Sequence, residues 1–192
     1  NPSFTNIPFG TEATLALTEA LVAQRTTLPM PTLMFGLTSS DTLKPEYAPQ
    51  FKFKALNGAG NSRRVTEVAE VLTCHIGMLP GLIRSRVLPV DVVLIQVCAL
   101  PSGEYSLGVT AEYAGAMIES ARSVIALVNP SLPPLRGDAL VKAEDIDWLV
   151  ESDPRVIDAP DPEPSATERR VAEQVAALIP DRATVQLGIG TL

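Results

Sequence analysis

Gly188, Ile189 and Gly190 follow the apolar string at 183–187 and make a glycine-flanked turn. Two glycines let backbone amides approach a ligand closely and point at a developing negative charge. Amides placed in this way stabilise an oxyanion by about 3–4 kcal/mol in acyl transfer. The loop lacks the third glycine and the downstream acidic residue of a dinucleotide site, and no GxxxxGK[ST] segment occurs in the chain. Two further loops stand after apolar runs, Pro101-Ser102-Gly103-Glu104-Tyr105 and Asn129-Pro130-Ser131-Leu132-Pro133-Pro134. Ligands of open α/β sheets bind where such loops leave the carboxyl ends of strands, although glycine and proline also punctuate strand ends that bind nothing. His75 is the only histidine, and Cys74 and Cys98 lie in apolar strings without metal-ligand spacing. No metal site is expected, the thiols read as buried and structural, and His75 reads as a partly buried residue at a strand end.

These loops need a scaffold, and the composition supplies one. At 192 residues and 46% apolar content the chain can hold a packed core, as one large domain or as a domain with the start of a second. Fifteen basic residues against twenty-two acidic ones give a net charge of −7, and basic runs such as Arg63-Arg64 are no longer than a pair. Nucleic acid is excluded as a partner, since phosphate binding needs a positive surface. No run reaches the roughly 18 apolar residues of a membrane span, and no charged start with an apolar run marks a signal peptide. No membrane partner is expected, and the expected compartment is the cytoplasm. The chain begins at Asn1 without methionine and stops just past a strand-and-glycine-loop pattern that normally leads into a helix. It is expected to be a fragment.

Helical spacing of Leu15, Ala16, Leu17, Ala20, Leu21 and Ala23 predicts a first helix over 12–24. Short strands are expected at 32–37, 51–56 and 71–74, with a glycine turn at 57–61 leading into a helix over 62–70. A helix over 78–84 precedes the run 90–97, whose unbroken apolar and β-branched character suits a parallel strand covered on both faces. That strand is expected at the sheet's centre. A strand at 105–109, a helix at 112–121 and strands at 123–128 and 146–150 complete a first domain over 1–152. The fold class is α/β: an open, mainly parallel sheet flanked by helices, because parallel strands need crossovers and helices provide them. Residues 153–165 are rich in proline and acidic residues and read as a linker. Beyond it, a helix at 167–178 and a strand at 183–187 are expected to begin a second, similar domain over 166–192.

Read together, Leu88-Pro89-Val90-Asp91-Val92-Val93-Leu94-Ile95-Gln96-Val97, Tyr105-Ser106-Leu107-Gly108-Val109, Val128-Asn129-Pro130 with Gly137-Asp138, Ile146-Asp147 and Gln186-Leu187-Gly188-Ile189-Gly190 are similar in order and spacing to one family. The chain resembles the acetyl-CoA hydrolase and 4-hydroxybutyrate CoA-transferase family, the family I CoA-transferases, from about residue 10 onward. The resemblance implies two open α/β domains with the active site between them, in a homodimer or higher homo-oligomer. It implies acyl-CoA and a small carboxylate as substrates, with no covalently bound cofactor. The implied nucleophile is a glutamate of the second domain, beyond this chain, which attacks the thioester and passes through an anhydride and an enzyme-CoA thioester. Gly188, Ile189 and Gly190 would then supply the oxyanion amides, and this chain alone would be inactive. Asn61, Arg63 and Asn129 would bind substrate, with Arg63 either meeting a carboxylate or standing as a solvated helix-start charge. Two departures bear on specificity: Pro101–Tyr105 is one residue shorter than the family's Asp-x-His-Gly-Tyr element and lacks its histidine, and Pro134 replaces an arginine, with Arg136 two residues later. A non-catalytic acyl-CoA-binding or oligomerising relative, and a sugar-phosphate isomerase of like architecture, are the alternatives.

Overall fold

In a computed structural model of the chain, residues 3–6, 12–36, 41–56, 61–151 and 163–186 are described. The first unit, 1–158, is built on parallel strands β1 (Ser3–Asn6), β2 (Thr32–Phe35), β3 (Lys52–Leu56), β4 (Ala69–Leu72), β5 (Val92–Ala99), β7 (Ser123–Val128) and β9 (Trp148–Glu151). They lie in the order β4-β3-β2-β1-β5-β7-β9. Two short strands, β6 (Tyr105–Ser106) and β8 (Leu140–Val141), add an antiparallel flap to the last residues of β5.

Strand periodicity sorts the core onto two faces. Leu33, Phe35, Phe53 and Ala55 turn to one side and pack with Leu43, Phe51, Val65 and, from helix α1 (Glu12–Ala23), Leu21 and Val22. Met34, Leu56, Val93, Ile95 and Val97 turn to the other, against Leu79 and Ile83 of α2 (Leu79–Arg84) and Ala114, Ala116 and Met117 of α3 (Ala114–Ser120). From Val93 to Cys98 every residue of β5 is buried, as an interior parallel strand requires.

Several expectations shift. The helix over 62–70 is a 3-10 helix, Asn61–Val68, and its last expected residues already belong to β4. The strand at 105–109 stops at Ser106, because Gly108 adopts φ +59 and turns the chain into a 3-10 turn at Gly108–Thr110. On α1, Ala16, Ala20 and Ala23 are exposed and Thr18 is buried, so the covered face is rotated from the expected one. Cys98 is buried, but Cys74 is half-buried and His75 exposed, both lying just past the edge strand β4.

The second unit, 159–192, holds α4 (Ala166–Ala176), begun by a capping box in which Ser165 and Glu168 satisfy each other's backbone amides. The strand expected at 183–187 is not formed over 183–186, since no other strand among the described residues of this unit offers a ladder to pair with. Residues 152–162, most of the expected linker, and residues 187–192 lie outside the described set.

Candidate functional site

Strands β1 to β4 progress outward in one direction, and β5 returns to lie beside β1 and begins the march in the other. This reversal is the topological switch point, and ligands of open α/β sheets bind outside the carboxyl ends of the strands there. In the first unit, Gly36 follows β2, the 3-10 helix at Asn61–Val68 follows β3, the hairpin at 100–104 follows β5, and the loop 129–136 follows β7.

The loop after β7 is held from below by buried polar groups. Asn129 is fully buried; its N–H donates to the Val97 carbonyl at 2.7 Å, its side-chain amide donates to Gln96 Oε1 at 3.3 Å, and its Oδ1 accepts from the Ser131 N–H at 2.9 Å. Farther along, Ser106 Oγ accepts from the Leu135 N–H at 2.9 Å and the Gly108 N–H at 3.1 Å, and donates to the Leu135 carbonyl at 3.0 Å. These bonds fix Leu135, and so the start of Arg136, against the β5–β6 hairpin. The two loops wall a concavity of about 450 Å³ lined by Ser102, Glu104, Pro134, Leu135 and Arg136. Ser102 Oγ hydrogen-bonds Glu104 at 3.0 Å across the turn. Beneath them, burial pushes the Cys98 thiol up, partly offset by its hydrogen bond with Ser106. It is a packed thiol, with little of the thiolate character that reactivity needs.

At the other end of this edge, Asn61 opens its 3-10 helix and Arg63 is exposed, with no ion-pair partner among the described residues. Its neighbour Arg64 instead meets Asp41 at 3.4 Å. Asn61 and Arg63 follow β3 while Asn129 follows β7, four strand positions away in the sheet. At about 4.8 Å per strand that is roughly 19 Å. The structure therefore sets these residues on one edge without gathering them into one cluster. Gly188, Ile189 and Gly190 lie outside the described residues. A second cavity, of about 510 Å³ beside α2 and α3, is lined by Arg84, Glu112, Glu119, Asp138 and Asp145. Among the described residues no three His, Cys, Asp or Glu side chains come together to hold a metal ion, and no helix is long and apolar enough to cross a membrane.

No family model matches the chain. Curated relatives do. Over 162 residues, 83% of this chain and 38% of the relative, it is 34% identical to the 4-hydroxybutyrate coenzyme A transferase of Clostridium kluyveri. It is 33% identical over 117 residues, 58% of the chain and 26% of the relative, to the butyryl-CoA:acetate CoA-transferase of Anaerostipes caccae. The chain belongs to the 4-hydroxybutyrate CoA-transferase family, the family I CoA-transferases. It spans about two fifths of the length of the Clostridium relative. Among solved structures, the fold superposes on RipA from Yersinia pestis with a TM-score of 0.88 at 21% identity, covering 98% of this chain and 47% of that one. The 4-hydroxybutyrate CoA-transferase of Porphyromonas gingivalis gives 0.73 at 24% identity, covering 100% and 45%.

In this chain of the CoA-transferase family, three polar residues that organise the edge beside Asn129 are ones the spacing of motifs did not single out. Gln96 and Ser106 sit inside apolar strings, where their pattern reads as strand and nothing more. Tyr113 is the third. It lies just before α3, it is 5% exposed, and burial together with the Glu112 charge pushes its phenol far up. One sequence signal was available for Ser106, the Ser-Leu-Gly turn that ends a strand after a single polar residue.

Proposed function

We propose that the full-length protein transfers coenzyme A from an acyl-CoA to a small carboxylate, and that this chain is the N-terminal part of that enzyme. The observation carrying this reading is the 34% identity over 162 residues to a 4-hydroxybutyrate coenzyme A transferase. It is joined by two further relatives, each named as a CoA-transferase. The reaction exchanges one thioester for another and one carboxylate for another, so the enzyme needs an acyl-carboxylate site and a nucleophile to carry the acyl group. In this reading a glutamate beyond the chain attacks the thioester carbonyl, and the amides of Gly188, Ile189 and Gly190 receive the oxyanion charge. Arg63 meets the carboxylate: it stands at the carboxyl end of β3, exposed and without an ion-pair partner among the described residues. Asn61 shares that segment, and Asn129 acts through the loop it anchors. The domain division is 1–152 and 166–192, joined by the linker at 153–165. The working enzyme is a cytoplasmic homo-oligomer with no covalently bound cofactor.

The test is to express the gene through its natural C-terminus and follow CoA thioesters from acetyl-CoA, with and without 4-hydroxybutyrate or succinate. A new acyl-CoA formed only with the acceptor is the expected result. CoA release into water alone would make the protein a hydrolase, and no reaction with any acyl-CoA would identify a non-catalytic relative.

A further inference from the structure

Tyr113 is out of keeping with its surroundings. Its ring belongs to the core shared by α2, α3 and the sheet, yet its phenolic oxygen has no hydrogen-bond partner among the described residues. Buried polar groups are almost always paired, and one left unpaired calls for an explanation. Phenylalanine would fill the same space with no hydroxyl to desolvate, so packing gives no reason for the oxygen.

Its position offers one. A Cβ built on Gly36 would stand 2.8 Å from the Tyr113 oxygen and 3.7 Å from Leu56 Cδ1. Gly36 follows β2, and Leu56 ends β3. The hydroxyl thus reaches from α3's start to the carboxyl ends of two adjacent strands, next to β1 at the switch point. The absence of a side chain at position 36 is what lets it come so close. The segment bearing Arg63 leaves from the second of those strands. Burial and the Glu112 carboxylate both keep the phenol protonated, so it stands there as a neutral hydroxyl with a hydrogen to donate. The residue before it, Glu112, holds a positive φ of 20°. Non-glycine backbone of that kind persists where the surroundings over-determine it, often at ligand sites.

We infer that Tyr113 donates its phenolic hydrogen to a carboxyl oxygen of the small carboxylate substrate, held at the carboxyl ends of β2 and β3 on the same edge as Arg63. The inference rests on the CoA-transferase reading and names a residue for its acyl-carboxylate site. Because carboxylates both arrive and leave in the exchange, one such donor serves both half-reactions.

The experiment compares the full-length enzyme with its Tyr113→Phe variant in three measurements. Thermal unfolding should be unchanged or raised, since no bond inside the fold is lost. The KM for the acceptor carboxylate should rise roughly tenfold or more, as for a lost hydrogen bond to a charged group, while the KM for acyl-CoA, anchored by its CoA moiety, moves less than about twofold. Adding the acceptor to wild type should perturb tyrosine absorbance, and the perturbation should vanish in the variant. An unchanged acceptor KM overturns the inference, and so does a marked fall in thermal stability, which would give the hydroxyl a structural partner. If the wild type transfers no CoA, the transferase reading is what fails, and the absorbance measurement with succinate then decides for or against Tyr113 by itself.

Discussion

Gly108 shows how closely single residues are matched across the carboxyl edge. Its φ is +59, and a Cβ there would come within 2.5–2.9 Å of three Leu132 side-chain atoms. Leu132, itself 2% exposed, is the apolar pin of the loop that Asn129 and Ser106 hold with hydrogen bonds. Gly108→Ala therefore imposes both an unfavourable backbone and an overlap, and should destabilise the chain by about 2–4 kcal/mol in urea unfolding. Combined with Leu132→Ala, the overlap disappears and only the backbone part remains, so the double mutant should lie clearly above additivity. Additive losses would mean that Leu132 yields freely. Such pairings mark the limit of what one chain's sequence reveals about a site. Asn129 was visible because Asn-Pro ends an apolar run, but its burial and its bond to Gln96 come from β5 and β7 lying side by side. Nothing in the sequence sets Tyr113 apart within the helix expected over 112–121, because only the folded sheet brings it to Gly36.

Among the elements, α2 and α3 are joined on the surface by a forked ion pair. Arg84 Nε and Nη2 lie 2.7 and 3.1 Å from the two oxygens of Glu119. Those hydrogen bonds hold the Glu119 carboxyl below the usual carboxylate range. A lowered folded-state value means the ionised form favours folding: the contribution is complete above the unfolded carboxylate's pKa, near 4.3, and is lost as pH falls through the lower folded value. Both side chains are more than half exposed, so screening by water and salt keeps it small. Glu119→Gln should leave stability nearly unchanged at pH 7 in high salt, show a slight loss in low salt, and match wild type at pH 2. A large loss that salt does not reduce would contradict the geometry. Elements carried by strong local signals were legible beforehand: the β-branched runs of β5 and β7 became the sheet's interior strands, shifted by two residues or fewer. Ser3-Phe4-Thr5-Asn6 was not legible as β1, for its half-polar string becomes a strand only between β2 and β5. The alanines of α1 misled for a related reason. A small side chain adds little buried area to either face, and Thr18 can be buried because its hydroxyl accepts from Thr42 Oγ1 at 2.9 Å.

At the scale of the molecule, the two units differ in what stabilises them. Residues 1–158 contain both apolar clusters, one on each face of the sheet. In 159–192 no described residue is buried, and Val171, Val175 and Leu178 of the amphipathic helical segment are 39%, 51% and 83% exposed. The parallel sheet with helices on both faces encloses its own core and should hold without help. The eleven-residue α4 buries none of its residues, and among the described residues of its unit local terms are what favour it. Its capping box contributes about 1 kcal/mol, whereas isolated helices shorter than about 12–15 residues are marginal in water. A chain of residues 1–158 should consequently unfold in a single cooperative transition by circular dichroism. A peptide of residues 159–192 should show little helix at 25 °C, gain it smoothly on cooling without a cooperative midpoint, and lose most of what it has on Ser165→Ala. If the peptide instead melts cooperatively, 159–192 folds by contacts of its own that burial among the described residues does not account for; if 1–158 fails to fold, the two apolar clusters are not a sufficient core.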